Sequence, residues 1–380
     1  MQRMQVKSLF LVLFVGMGTI LTAQTSSTKI TVAVGNCQPQ LVSYSTISEA
    51  VAAVKKNSTV LVCPGTYPEQ VTITQSLTLT GLADEYGNIP IIAVPSGGLV
   101  SVYGQATQIF VGGVYPPVGS VNMSNLVVDG TGSGIDCSTG ATLIGIFYQQ
   151  VTVGSLNNVE VRDQNPGGCG FGIWLQGSDF GSKINIRNSY VHDFDNTGIF
   201  AEDGANGQAR FPLYLRSNSV VSASTSVQAG VAAYGTVGVA EHNIIDLASG
   251  TGLLLASDFA TMHSRWNTVT GASVGIFAEF IGGTTYIVGN RLSNNGTGIA
   301  TDGHGSGAVI KSNSIIQSAV TAIELACNQD SEAEDNIISD APVGIADIVS
   351  GAVVKGNHFS DVTTPTTTCP SQSPTREHQP

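Results

Sequence analysis

Charged side chains are scarce in this chain. Asp, Glu, Lys and Arg make up 11% of 380 residues, where a soluble globular chain usually carries about 25%. No apolar pattern of period 3.6 runs long enough to build a helical bundle, which excludes an α-rich architecture. No Cys-x-x-Cys spacing occurs and no histidine adjoins a cysteine, which argues against zinc. Beyond the first two dozen residues, no apolar run is long enough to span a bilayer. Basic residues are few, 15 against 27 acidic. That balance excludes nucleic acid and anionic membranes as natural partners. It also disfavours an acidic polymer unless calcium or a local basic patch intervenes.

What is abundant is glycine, 45 residues, within a sequence that is 42% hydrophobic. From about Asn188 to Asn357 one short phrase recurs. Its asparagines are Asn188, Asn218, Asn243, Asn267, Asn290, Asn313, Asn336 and Asn357, spaced 21–30 residues apart. A partner phrase travels with them: Gly198-Ile199, Gly230-Val231, Gly252-Leu253, Gly275-Ile276, Gly298-Ile299, Ala322-Ile323 and Gly344-Ile345. Asn125 and Asn158, with Gly145-Ile146 and Gly172-Ile173, extend both series upstream. A fixed period of this size signals stacked repeats. Each repeat holds two or three runs of 3–5 residues punctuated by Gly, Asn and Ser, so the stacked units are short strands. Strands this short pair in parallel from coil to coil, ~4.8 Å apart. Asparagine tolerates the left-handed turn conformation and bonds along the stack. The fold expected is all-β: a right-handed parallel β-helix of about ten coils, with the handedness set by the crossover rule.

The repeat resembles those of the pectin-lyase-like superfamily. The opening Thr46-Ile47-Ser48-Glu49-Ala50-Val51, Val60-Leu61-Val62-Cys63-Pro64-Gly65-Thr66-Tyr67 and Leu77-Thr78-Leu79-Thr80-Gly81 is similar to the first coil of secreted β-helix proteins. The resemblance spans roughly residues 30–360. It implies the fold, and it leaves open lyases, hydrolases, esterases, epimerases and adhesins. The catalytic motifs of pectin methylesterases are absent, and His192-Asp193-Phe194-Asp195 matches one only superficially. Gly303-His304-Gly305 with Ile310-Lys311 is similar to polygalacturonases, but Ala278-Glu279-Phe280-Ile281 stands where their acidic pair would be.

Residues 1–23 read as a signal peptide: Arg3 and Lys7, then apolar Leu9 to Leu21, then Thr22-Ala23. Its removal leaves a net charge of −14 and implies a secreted, periplasmic or cell-surface protein. Residues 24–362 form one domain, and residues 363–380 a Thr/Ser/Pro-rich tail. Thr46 to Lys56 is the one convincing helix, with a Thr46/Glu49 capping box, and it serves as a lid on the open end. Six cysteines in an exported chain read as disulfides, with zinc the alternative. The repeat register pairs Cys137 with Cys169; Cys37 and Cys63 flank the helix, and Cys327 with Cys369 ties down the tail. A monomer is expected.

Two sets of residues can carry chemistry. Counted from the asparagines, Asp163 and Asp193 stack on neighbouring coils, with Arg162 and His192 beside them and Glu202 near. Stacked carboxylates need a calcium ion, an arginine or a shared proton between them, and the last would serve acid–base sugar chemistry. The alternative is solvated turn residues. No cofactor is otherwise indicated. The second set is a row facing outward beside the Gly-Ile phrase: Phe147, Trp174, Phe200 and Phe277, with Gln149, Gln176, Glu202 and Glu279 two residues on. Exposed aromatics imply a cover, either a polysaccharide or the protein's own loops. The leading function is binding, and possible cleavage, of a polysaccharide by a lyase or glycoside hydrolase. The alternative is a non-catalytic surface or adhesion module.

Overall fold

The computed structural model describes residues 29–113, 118–177, 182–203, 211–257, 262–280, 283–302, 307–327 and 331–369. Alternating apolar and small polar residues make short strands, and every strand pairing between coils is parallel. One coil shows the plan. Lys183–Arg187, Tyr190–His192 and Thr197–Glu202 lie on three different faces, each stacked on the equivalent strand of the next coil. The architecture is a right-handed parallel β-helix. The first face runs from Thr31–Val34 to Val353–Lys355. The second begins at Thr66–Pro68 and the third at Val71–Ile73, and both end in the long strand His358–Thr368. The second face has twelve rungs, more than the ten coils expected, because the coils before residue 118 pair without the asparagine phrase.

The Gly-Ile phrase has a packing cause. Ile146, Ile173, Ile199, Ile276, Ile299 and Ile323 form a column of fully buried side chains. The glycine before each of the first five lies too close to its surroundings for a side chain, while Ala322 precedes Ile323. A Cβ on Gly172 would fall 2.4 Å from Val191 Cγ1 and 2.6 Å from Gly198 O.

The asparagine ladder occupies the corner between the first and second faces. Each member from Asn218 to Asn336 donates its backbone N–H and its Nδ2 to Oδ1 of the next asparagine, at 2.8–3.1 Å. The other Nδ2 hydrogen goes to a carbonyl of the preceding coil, as from Asn243 to Leu215 O. Four donors and acceptors are thereby satisfied without water. Asn188 is not a member. Ser189 pairs with Asn218, and Asn188 occupies the preceding, left-handed position (φ 50°), as do Asn125 and Asn158. Asn158 Nδ2 donates to Asn125 Oδ1 at 2.9 Å, and Asn188 Nδ2 donates to Asn157 Oδ1 at 3.2 Å.

The ends are tied down as expected, with one difference. The helix is Ile47–Ala53, shorter than its sequence pattern because Val54 turns to extended backbone. Thr46 Oγ1 accepts from Glu49 N, but the other cap is Glu69, which accepts from the amides of Ile47 and Ser48 at 2.7 and 2.8 Å. Ile47, Ala50 and Val51 are buried over the first coil. Disulfides join Cys37–Cys63, Cys137–Cys169 and Cys327–Cys369. Regular structure continues to Thr368, past the boundary at 362, because Thr364 and Thr366 pair with Val343 and Ile345.

Replacing a mid-ladder asparagine should be costly. Asn290→Ala leaves the buried amides of Asn267 without an acceptor, and we expect a loss of about 3–5 kcal/mol in chemical denaturation. Asn357→Ala, at the half-buried end of the ladder, should cost only about 1 kcal/mol because water can replace its bonds. Equal losses would show that the ladder does not act as a buried network.

Candidate functional site

The outward row is in register on the third face. Phe110, Phe147, Trp174 and Phe200 occupy successive rungs, with ring centroids 5.0–5.7 Å apart. Phe171, from the 164–171 insertion, rests on Trp174 at 4.9 Å and on Phe200 at 5.7 Å. Phe147 is 1% exposed, so it is packed between its neighbours and cannot be an open platform. Trp174, Phe200 and Phe277 are half-buried. Phe277 stands apart from the stack, since Ala232 and Leu254 fill the rungs between. The row is thus partly core under the protein's own insertion, and its accessible end lies toward the N-terminus.

There the same face opens into a cleft of about 690 Å³. Phe110, Thr72, Thr74, Gln105 and Gln149 line it, and a two-residue hairpin, Val102 to Gln105, forms one wall. Both central residues of that hairpin, Tyr103 (φ 51°) and Gly104 (φ 81°), are left-handed, as a tight hairpin requires. Tyr103 is fully exposed at the tip and lines the cleft. Among the described residues, no charged side chain lines it. Phe110 and Tyr103 were missed in the sequence because these early coils lack the Gly-Ile phrase. Ile109-Phe110 does repeat Ile146-Phe147, and Tyr103-Gly104 is a hairpin signal.

The polar partners form a second row. Gln149, Gln176 and Glu202 lie on successive rungs, so Glu202 belongs to this face and not beside Asp163 and Asp193. Its Oε1 accepts from Trp174 Nε1 at 3.0 Å and Gln176 Nε2 at 3.2 Å. Burial raises the Glu202 pKa, these two donors lower it, the charge of Asp203 raises it, and the net result is a rise. Tyr234 packs on Phe200, and burial together with Glu279 raises its phenol.

The other cluster is an ion-pair network on the second face. Arg162 pairs with Asp129 and Glu160, both at 2.8 Å, and approaches Asp163 at 3.8 Å. His192 lies between Glu160 (3.4 Å) and Asp193 (2.6 Å) and stacks on Tyr190. Burial opposes ionisation of Asp129, but bonds from Thr131 and Arg162 prevail and hold its carboxyl below the usual range. Asp163 and Asp193 both take left-handed turn conformations on successive coils, with Arg162 3.8 Å from the first and His192 2.6 Å from the second. Among the described residues, the one group that brings three metal-ligating atoms together is Cys327, Asp347 and Cys369, and its cysteines form a disulfide. Asp195 is structural: it accepts from the amides of Gly167, Gly168 and Gly170 and holds the insertion loop. Gly303-His304-Gly305 lies outside the described residues.

No protein-family pattern and no curated protein sequence matches the chain. Solved structures do. The A-module of Azotobacter vinelandii mannuronan C-5 epimerase AlgE6 is 13% identical, with a TM-score of 0.54 over 82% of this chain and 93% of the module. The Dettilon tailspike protein is 13% identical, with a TM-score of 0.51 over 84% of this chain and 63% of its own. Both share the fold. At this identity the likeness says nothing about the chemistry.

The raised Glu202 pKa gives a signed expectation. A carboxyl raised by folding contributes its stability below the unfolded value of 4.5 and loses it as pH rises through the folded value. Glu202→Gln keeps the acceptor for Trp174 and Gln176 but removes the charge. Its melting temperature should equal the parent's near pH 4 and exceed it by ~1–2 °C at pH 7. A variant less stable at pH 7 would show that the carboxylate charge is needed.

Proposed function

We propose that this protein binds a polysaccharide along its third face, with a neutral stretch of sugar seated in the Tyr103 cleft. The observation that carries this is the cleft itself: an exposed tyrosine and a phenylalanine beside glutamine and threonine side chains, with no charge. Sugar rings offer C–H faces to aromatic rings and hydroxyls to amides and hydroxyls, and a site of this kind needs a few fixed polar groups beside apolar surface. The strands beneath are rigid, which suits recognition of an extended chain. The fold shared with a mannuronan-modifying module supports a polysaccharide as the ligand class.

A cleavage reading rests on Glu202. A carboxyl that holds its proton above the usual range can protonate a glycosidic oxygen. On its row, however, it stands next to Gln176, and among the described residues the carboxylate whose charge reaches it is its chain neighbour Asp203, where glycoside hydrolysis employs a pair facing across the bond. Binding is therefore the function that the geometry favours.

The test is a panel of neutral polysaccharides screened by affinity electrophoresis and by release of reducing or unsaturated ends. Tyr103→Ala should weaken retention about ten-fold or more with an unchanged melting temperature, since its side chain is fully exposed. Retention unaffected by Tyr103→Ala would overturn the cleft assignment. New chain ends that disappear in Glu202→Gln would make the protein an enzyme.

A further inference from the structure

The corner that carries the asparagine ladder has a second recess, of about 440 Å³, lined by His242, Trp266, Thr268, Gly289 and Arg291. It lies away from the third face. The residue just before each ladder asparagine must take a left-handed conformation, and most coils use Ser, Asp or Gly there: Ser217, Gly289, Ser312, Asp335 and Gly356. Two successive coils instead use His242 (φ 56°) and Trp266 (φ 52°). A bulky side chain is disfavoured in this region, and its presence points to a role other than stability. The two rings stack, with centroids 5.1 Å apart and planes 21° apart. Trp266 is 50% exposed. Its pyrrole edge lies over Gly289, where a Cβ would fall 2.6 Å from Cδ1, so glycine on that coil is what makes room for the indole. Arg291 sits beside Thr268 on the adjoining rung, is exposed, and makes no ion pair among the described residues. By contrast, Arg216 pairs with Glu241, and Lys311 and Lys355 pair with Glu334.

We propose that this recess is a second saccharide site, selective for a carboxylated sugar. The indole supplies the flat wall against which a sugar ring lies, and Arg291 supplies a planar fork for its carboxylate. Thr268 and His242 can bond the remaining hydroxyls. The ladder asparagines Asn267 and Asn290, each adjacent to a lining residue, hold the recess rigid.

The chain has two tryptophans, so intrinsic fluorescence can report on the site. We would titrate the full-length protein with tetragalacturonate and with its methyl ester, which keeps the rings and removes the charge. Tetragalacturonate should change the emission. The ester should bind about ten-fold more weakly. Arg291→Ala should lower affinity for the acid by a similar factor and leave the ester unaffected, and Trp266→Ala should abolish the signal. Tyr103→Ala should change none of these, which separates this site from the third-face cleft. Equal affinity for acid and ester, affinity unaltered in Arg291→Ala, or no binding of either ligand would each overturn the proposal. A response to dextran sulfate as strong as that to tetragalacturonate would also overturn it, because it would reveal unselective polyanion binding.

Discussion

Each coil of this molecule can satisfy its backbone only through the coils above and below it. Parallel strands send every inter-coil hydrogen bond along the axis, so a buried corner has no lateral partner for its amides. The ladder from Asn218 to Asn357 answers that constraint. Each side-chain amide accepts twice from the coil before it and donates to the coils on both sides. The side chain thus does at the corner what the strand ladder does on the faces. It also fixes the register, because a slip of one residue would place an asparagine on the wrong side of the corner. All side-chain rows elsewhere inherit their spacing from that registration.

Rows are consequently the unit in which this surface has to be read. On the third face the row is aromatic and amide, and its cleft is free of charge. Some charged rows alternate in sign from coil to coil, as Lys311, Glu334 and Lys355 do. Cross-strand neighbours of opposite charge stabilise, and like charges destabilise. At the second face Glu160 meets both Arg162 and His192, and Arg162 also pairs with Asp129 on the adjoining coil.

The third-face register was legible because one cause produced it. A side chain does not fit the close approach at Gly172 and most of its equivalents, and the apolar residue after it points inward, so the next residue must point out. The ladder was legible in its downstream half and displaced by one residue upstream. Two adjacent corner positions favour asparagine for different reasons, one for the buried ladder bonds and the other for positive φ. Asn158 and Asn188 satisfy the second reason alone. The same ambiguity grouped Glu202 with Asp193, nine residues away, although a corner separates them. The Tyr103 hairpin was illegible because the early coils carry no repeat from which to count.

Both exposed aromatics that mark a recess have a feature in common. Of eighteen described non-glycine residues with positive φ, eleven are Asn or Asp, the types that tolerate it, while Tyr103 and Trp266 are the two bulkiest. Neither side chain is repaid by burial: one is fully exposed and the other half exposed. A stacked repeat makes such departures conspicuous, because every coil supplies a control for the same position. Where Ser217, Ser312 and Gly356 suffice for the turn, Trp266 is not needed by the turn. The inference from strain to function is sound here because the unstrained alternative is present a few coils away in the same chain.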